Sequence, residues 1–381
     1  MISRIARPLA VSLRAVAAVC LVTLLGACAS GPEKPKPAEL APNTALLGVR
    51  LAWTAKIGEV AFPLDAHVSG ASVGVASSDG TVAVLDAATG REQWRAGAGA
   101  EIAAGVGGDG TTWAIVTRTN EVVALQAGSV LWRRKLDALA YTAPLVAGGR
   151  VFVLAADRSI TAFDGQSGRK LWNQSRPGEP LVLRQPGVLL AVGNTLVVGL
   201  SGRLVGMNPD NGSVRWEAPI ASPRGTNDVE RLVDLVGRVS RNGDVVCARA
   251  FQAAAGCVNT SRGNVLWSKP ANGYQGVHGD DRFVYGAEAD GTVNAWKVAD
   301  GERAWSTDRL KYRTLTAPLA VGRSIAFGDG TGFVHLLSRE DGAPLTRLAT
   351  DGSPVVAAPA LAGDTLVVVT RSGGVYGFKP E

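Results

Sequence analysis

The stretch that decides the fold runs from Ala143 to Trp172: APLVAGGRVFVLAADRSITAFDGQSGRKLW. Short apolar runs of period two are broken by turn residues at Gly148-Gly149, Ala156-Asp157 and Gly165 to Gly168. That is the pattern of four short antiparallel strands. Its last part, a turn rich in Asp and Ser, then Gly168, then Trp172, recurs along the chain. It reappears as Gly90 with Trp94, Gly128 with Trp132, Gly212 with Trp216, Gly263 with Trp267 and Gly301 with Trp305. In a seventh copy Gly342 is followed by Thr346 where the others have Trp. Whole units superimpose as well, since Thr142-Ala143-Pro144 and Thr316-Ala317-Pro318 stand at the same distance before Trp172 and Thr346. Units of about 40 residues with four strands each are propeller blades.

The two ends of the chain complete the count. SGGVYGFKPE at the carboxyl terminus stops before its Trp-bearing strand, and Leu51-Ala52-Trp53 is such a strand without the three that should precede it. Joined, they make an eighth blade, and sharing one blade between both termini removes the exposed sheet edges of an open array. The expected fold is an all-β, eight-bladed propeller over residues 46–381. The repeat resembles the Trp-docking repeat of quinoprotein-type propellers. The resemblance implies that Trp53, Trp94, Trp132, Trp172, Trp216, Trp267 and Trp305 each pack against a neighbouring blade.

Composition agrees with this reading. Gly supplies 47 of 381 residues, about 12%, against about 7% in ordinary proteins, which favours tight turns over long helices. Hydrophobic residues at 46% with 19% charged ones exclude a disordered chain. The formal charge of +6 falls to +3 once Arg4, Arg7 and Arg14 leave with the amino-terminal leader, and no face is dense in Lys and Arg. The electrostatic footprint of a nucleic-acid-binding protein is therefore missing.

The leader, residues 1–27, has Arg4 and Arg7 ahead of an apolar run from Ala15 to Leu25, followed by Leu25-Gly26-Ala27-Cys28. This is a secretory pattern, too short for a comfortable membrane span. Small residues before Cys resemble the lipobox of bacterial lipoproteins, which implies cleavage before Cys28 and its acylation; an ordinary signal peptide with an incidental Cys is the alternative. Ala29 after the Cys, by resemblance to sorted lipoproteins, places the protein at the periplasmic face of the outer membrane. Residues 28–45 carry Pro32, Pro35, Pro37 and Pro42 without apolar periodicity and are expected to form a semi-rigid tether.

Catalytic chemistry is not evident. His67, His278 and His335 fall in different units with no second ligand at metal spacing, and no nucleophile elbow, phosphate loop or Cys-His pair is found. Quinoprotein dehydrogenases carry a vicinal Cys pair and a calcium-binding acidic set, neither of which stands here. No cofactor is expected. Cys247 and Cys257 lie ten residues apart about the Gln252 region, where they can face each other as a disulfide in an oxidising compartment or remain a buried free pair.

Irregularity in the repeat marks where function sits. Successive docking tryptophans are 41, 38, 40, 44, 51 and 38 residues apart, so the two longest gaps are adjacent. Their extra residues follow Trp172 and Trp216 and should form neighbouring loops on one rim. The first contains Leu181, Leu183 and Arg184, and the second Asp228, Glu230, Arg231, Asp234 and Leu235. An apolar pair beside Arg and carboxylates suits a protein interface, although Leu181 and Leu183 could simply begin an inner strand.

Lipobox, Pro-rich tether, eight docking blades, the P-L-V-L-R stretch and the D-V-E-R-L-V-D stretch together resemble the BamB family, propeller lipoproteins of the outer-membrane β-barrel assembly machine. The resemblance implies a non-enzymatic scaffold that binds the periplasmic domains of the barrel-forming subunit through Leu181, Leu183, Arg184 and Asp234. The family's second acidic residue, two places after Asp234, is Val236 here. Direct contact with unfolded β-barrel clients is a further expectation, from the many strand edges of a propeller. The rival is a periplasmic quinoprotein-like enzyme or small-ligand binder in the central channel.

Overall fold

A computed structural model describes residues 35–176 and 181–381, so the leader and Cys28 lie outside the described residues. Every regular element among them is a strand, and 32 strands form eight four-stranded antiparallel sheets. Blades 1 to 7 cover 67–97, 102–135, 145–174, 189–219, 235–270, 278–307 and 319–349. The unit quoted first is blade 3, with strands Leu145–Ala147, Arg150–Leu154, Ile160–Asp164 and Lys170–Gln174 in that order. Blade 8 joins Ala360–Ala362, Thr365–Val369 and Gly374–Pro380 to the amino-terminal strand Val49–Lys56, which pairs antiparallel with the last of them. The chain is thus an eight-bladed propeller whose termini share one blade.

The core lies between blades. One cluster, for example, unites Phe152, Ile160 and Trp172 of blade 3 with Leu196, Val205 and Met207 of blade 4. The Gly-to-Trp spacing has a mechanical explanation. Gly168 has a φ of 66° and lies against the preceding blade's Trp132, so that a Cβ there would stand 2.5 Å from the indole. The same left-handed glycine under the preceding blade's indole recurs at Gly90, Gly212, Gly263, Gly301 and Gly342. Only Gly tolerates both the backbone conformation and the approach. The indole N–H groups of Trp53, Trp132, Trp172, Trp267 and Trp305 donate to Ala87, Gly165, Pro209, Val298 and Arg339 carbonyls of the next blade, at 2.7–2.9 Å. Trp94 differs, packing edge-on to Trp113 at 6.3 Å, while Trp216 lies over Gly263.

Thr346 now has a reason. A Trp there would dock on the turn before the outer strand of blade 8, and that turn is where the chain is open: Glu381 N–H donates to the Gly48 carbonyl at 3.1 Å across the gap. The edge of blade 7 is covered instead by the amino-terminal segment. From Ala38 onward this segment is bonded to the propeller, so residues 38–45 of the expected tether belong to the folded body.

Cys247 and Cys257 are bonded as a disulfide between directly paired positions of blade 5, and both are buried. Each histidine has a packing role. His67 stands edge-on to Trp113, His278 Nδ1 accepts from the Ala320 N–H across blades 6 and 7 at 3.1 Å, and His335 bonds to the buried Asp329 at 2.9 Å.

A candidate docking site across blades 3, 4 and 5

The inter-blade segments 181–187 and 222–234 meet. The Leu183 N–H donates to a carboxylate oxygen of Asp234 at 3.1 Å, and the Gly237 N–H donates to the Pro186 carbonyl at 2.8 Å. A third element closes the site from below. Arg158, in the turn between the second and third strands of blade 3, donates to the Leu181 carbonyl at 3.2 Å and lies 3.7 Å from the other Asp234 oxygen. Its side chain is 9% exposed and that of Asp234 20%, so this pair is shielded far better than a surface ion pair. Arg158 holds a φ of 62°, a conformation supported by Asp157, whose carboxylate accepts from the Ser159 N–H and hydroxyl. Gly187 is tied down in turn by its N–H bond to the Thr142 hydroxyl.

What this frame presents outward is apolar and cationic. Leu181 is 39% exposed, and Arg184 is exposed with its guanidinium 5.7 Å from the centre of the Tyr141 ring. Leu183 is half-buried and, with Tyr141, Leu154, Arg158 and Asp234, lines a depression beside them. The second segment has its own order: Asn227 accepts from the Glu230 N–H, and Glu230 accepts from the Thr226 N–H, which holds its carboxyl below the usual range. Val229 at its tip is 71% exposed.

All four residues expected in the partner site are therefore brought together, but with different duties. Leu181 and Arg184 face out. Asp234, expected to orient a partner, directs both oxygens at groups of this chain, and Val236, where the family has an acid, is buried in blade 5 and paired with Arg249 in the sheet. The sequence alone does not mark Arg158, Tyr141 or Val229. Nothing in an Asp-Arg-Ser turn at 157–159 signals contact with a residue 76 positions away. The exposure of Val229 likewise follows only from how its loop is capped.

The cavity on the propeller axis is lined by Phe62, Asp65, Gln185, Arg238 and Arg371 among others. Arg238 is committed to the wall, donating to the Pro359 carbonyl at 2.6 Å. Among the described residues no three His, Cys, Asp or Glu side chains are grouped to hold a metal ion.

Comparison with known proteins is consistent in direction. A family model described as outer membrane protein assembly factor BamB matches residues 78–307. The outer membrane protein assembly factor BamB of Burkholderia pseudomallei is 37% identical over 371 residues, covering 96% of this chain and 97% of that protein. The protein of the same name from Bordetella pertussis is 36% identical, covering 91% of each. The crystal structure of BamB from Moraxella catarrhalis superimposes with a TM-score of 0.79 at 23% identity over 87% of this chain and 99% of that one. A quinohemoprotein alcohol dehydrogenase from Comamonas testosteroni, with a TM-score of 0.68 at 15% identity over 90% of this chain and 78% of its own, shares the propeller fold. From the family match and identities that span nearly its whole length, the chain belongs to the BamB family of outer membrane protein assembly factors.

Proposed function

We propose that the protein is a non-enzymatic scaffold, held by an acylated Cys28 at the periplasmic face of the outer membrane. It docks on the periplasmic domains of the barrel-forming subunit and so assists folding and insertion of β-barrel proteins. The observation that carries this reading is the Leu183–Asp234 bond, which with Arg158 locks connections of adjacent blades into one platform. A preorganised platform loses little conformational entropy on binding. Leu181 supplies the apolar anchor and Arg184 a cation already oriented by Tyr141, a pairing suited to a partner surface with an apolar centre and an acidic rim.

Co-purification from membranes tests this. Arg184→Glu and Leu181→Asp should each lose the barrel-forming subunit while the purified proteins keep the wild-type melting temperature. Undiminished recovery of the subunit with both variants would remove the site from the interface.

A further inference from the structure

In a four-stranded antiparallel blade, the turn between the second and third strands and the connection to the next blade lie on one face of the ring. The other two turns lie on the opposite face. Segments 181–187 and 222–234 are inter-blade connections and Arg158 sits in a second-to-third-strand turn, so the platform occupies the first of these faces. The amino-terminal strand Val49–Lys56 starts on the other one, beside Glu381. A chain entering there directly would place its leash on the far side from the platform.

Instead, residues 38–47 cross the whole outer edge of blade 7, antiparallel to its strand Pro344–Ala349. The Leu46 N–H and the Thr44 hydroxyl donate to the Leu345 carbonyl. The Asn43 amide exchanges two bonds with the Arg347 backbone, and the Arg347 guanidinium reaches the Ala41 carbonyl. Leu40 packs on the cluster that includes Leu310 and Leu315. Ala38 donates to the Lys311 carbonyl and accepts from Arg313, whose guanidinium is fixed by Asp329 and Thr331. The strap thus ends at the blade 6 to blade 7 connection, on the platform face.

We propose that this strap carries the membrane anchor across blade 7 to the docking face, and that the connecting loop 308–313 is the surface the ring turns toward the phospholipid bilayer. The inference rests on the assignment of Cys28 as the anchor. Ten residue steps from Cys28 to Ala38 reach at most about 36 Å, so the loop at the strap's end is kept within that distance of the headgroups. Its chemistry fits them. Tyr312 is 43% exposed, an amphipathic ring of the kind enriched at membrane interfaces. Arg309 is exposed and of the sign that anionic lipid attracts, while the partly exposed Lys311 ammonium lies 3.7 Å from the Asp308 carboxylate of the same loop, so Arg309 and Tyr312 carry the contact.

The test uses the full-length protein, acylated in cells and reconstituted into phosphatidylethanolamine and phosphatidylglycerol vesicles with a nitroxide on some headgroups. A bimane fluorophore is placed on Thr314→Cys, beside the loop, or on Glu340→Cys, in the opposite-face turn of the same blade. Quenching at 314 should exceed that at 340 several-fold. Adding Ala38→Pro and Leu40→Ser to Asn43→Ala and Arg347→Ala, which removes the Ala38 N–H donor, the Leu40 packing and the Asn43 and Arg347 bonds that hold the strap, should abolish the difference. Equal quenching at both positions, or a difference that survives release of the strap, would overturn the proposal. Mass analysis of the amino-terminal peptide is read separately: an unmodified Cys28 would overturn the anchor assignment and this inference with it, whereas acylation with equal quenching would defeat the inference alone.

Discussion

Removing the Arg158 side chain should weaken docking without Arg158 touching the partner. In the free protein it supplies a charge-assisted bond to the Leu181 carbonyl and the countercharge of a carboxylate only 20% exposed. A hydrogen bond to a charged group contributes about 1.5–3 kcal/mol, and the loose 3.7 Å pair adds less. With discount for solvent access at Asp234, Arg158→Ala should therefore release about 2–3 kcal/mol of loop order. If the freed segment 181–187 is competent only a fraction of the time, the apparent Kd rises by the inverse of that fraction. Since 1.4 kcal/mol corresponds to tenfold, a loss of about 30- to 140-fold is expected. Titration against the isolated periplasmic domains of the barrel-forming subunit would read the affinity. Hydrogen exchange over 181–187 should accelerate in the variant, and Arg158→Lys should restore part of both effects by keeping the charge without the planar fork. Wild-type affinity together with accelerated exchange would refute the claim that order in this segment governs docking. Unchanged exchange would refute the brace itself.

The docking indoles make a separate prediction: Trp172→Ala, which leaves the Pro209 carbonyl without its donor and opens the blade 3 to blade 4 core, should cost about 3–5 kcal/mol in denaturant melts, and an unchanged midpoint would contradict it. Acid should destabilise the ring early through His278. Burial, followed by the nearby Arg238 charge, pushes its pKa down to about 3 from the usual 6.5, so the unfolded chain binds the extra proton between those values. Stability is full above about pH 6.5 and falls as pH drops toward 3, and urea midpoints for His278→Gln should fall less between pH 7 and 5 than those of the parent. Arg249, wholly buried with Glu288 as its counter-ion at 3.6 Å and Trp296 beneath it, predicts that Glu288→Ala costs about 3–5 kcal/mol by stranding the charge, whereas Arg249→Met with Glu288→Ala recovers much of the loss; thermal melts of both variants decide it.

The fold was written in a periodicity. Two-residue alternation, turn residues and a Gly-to-Trp spacing repeat because every blade solves the same local problem, and local rules are what a sequence displays directly. The need to pair the terminal strands was legible too, as a unit split between Leu51-Ala52-Trp53 and SGGVYGFKPE. The long gaps after Trp172 and Trp216 pointed correctly to two adjacent loops, because excess length in a repeat has to leave the sheet. Which side chains those loops spend on each other is another kind of question. Asp234 looks the same in sequence whether it faces a partner or accepts the Leu183 N–H, and Arg158 belongs to a blade whose own repeat does not mention it. The loss of Trp at 346 and the path of residues 38–47 over blade 7 likewise depend on where the ring is open. Ring closure and contacts across blades join residues dozens to hundreds of positions apart, and such contacts are set by three-dimensional packing, which no local pattern encodes.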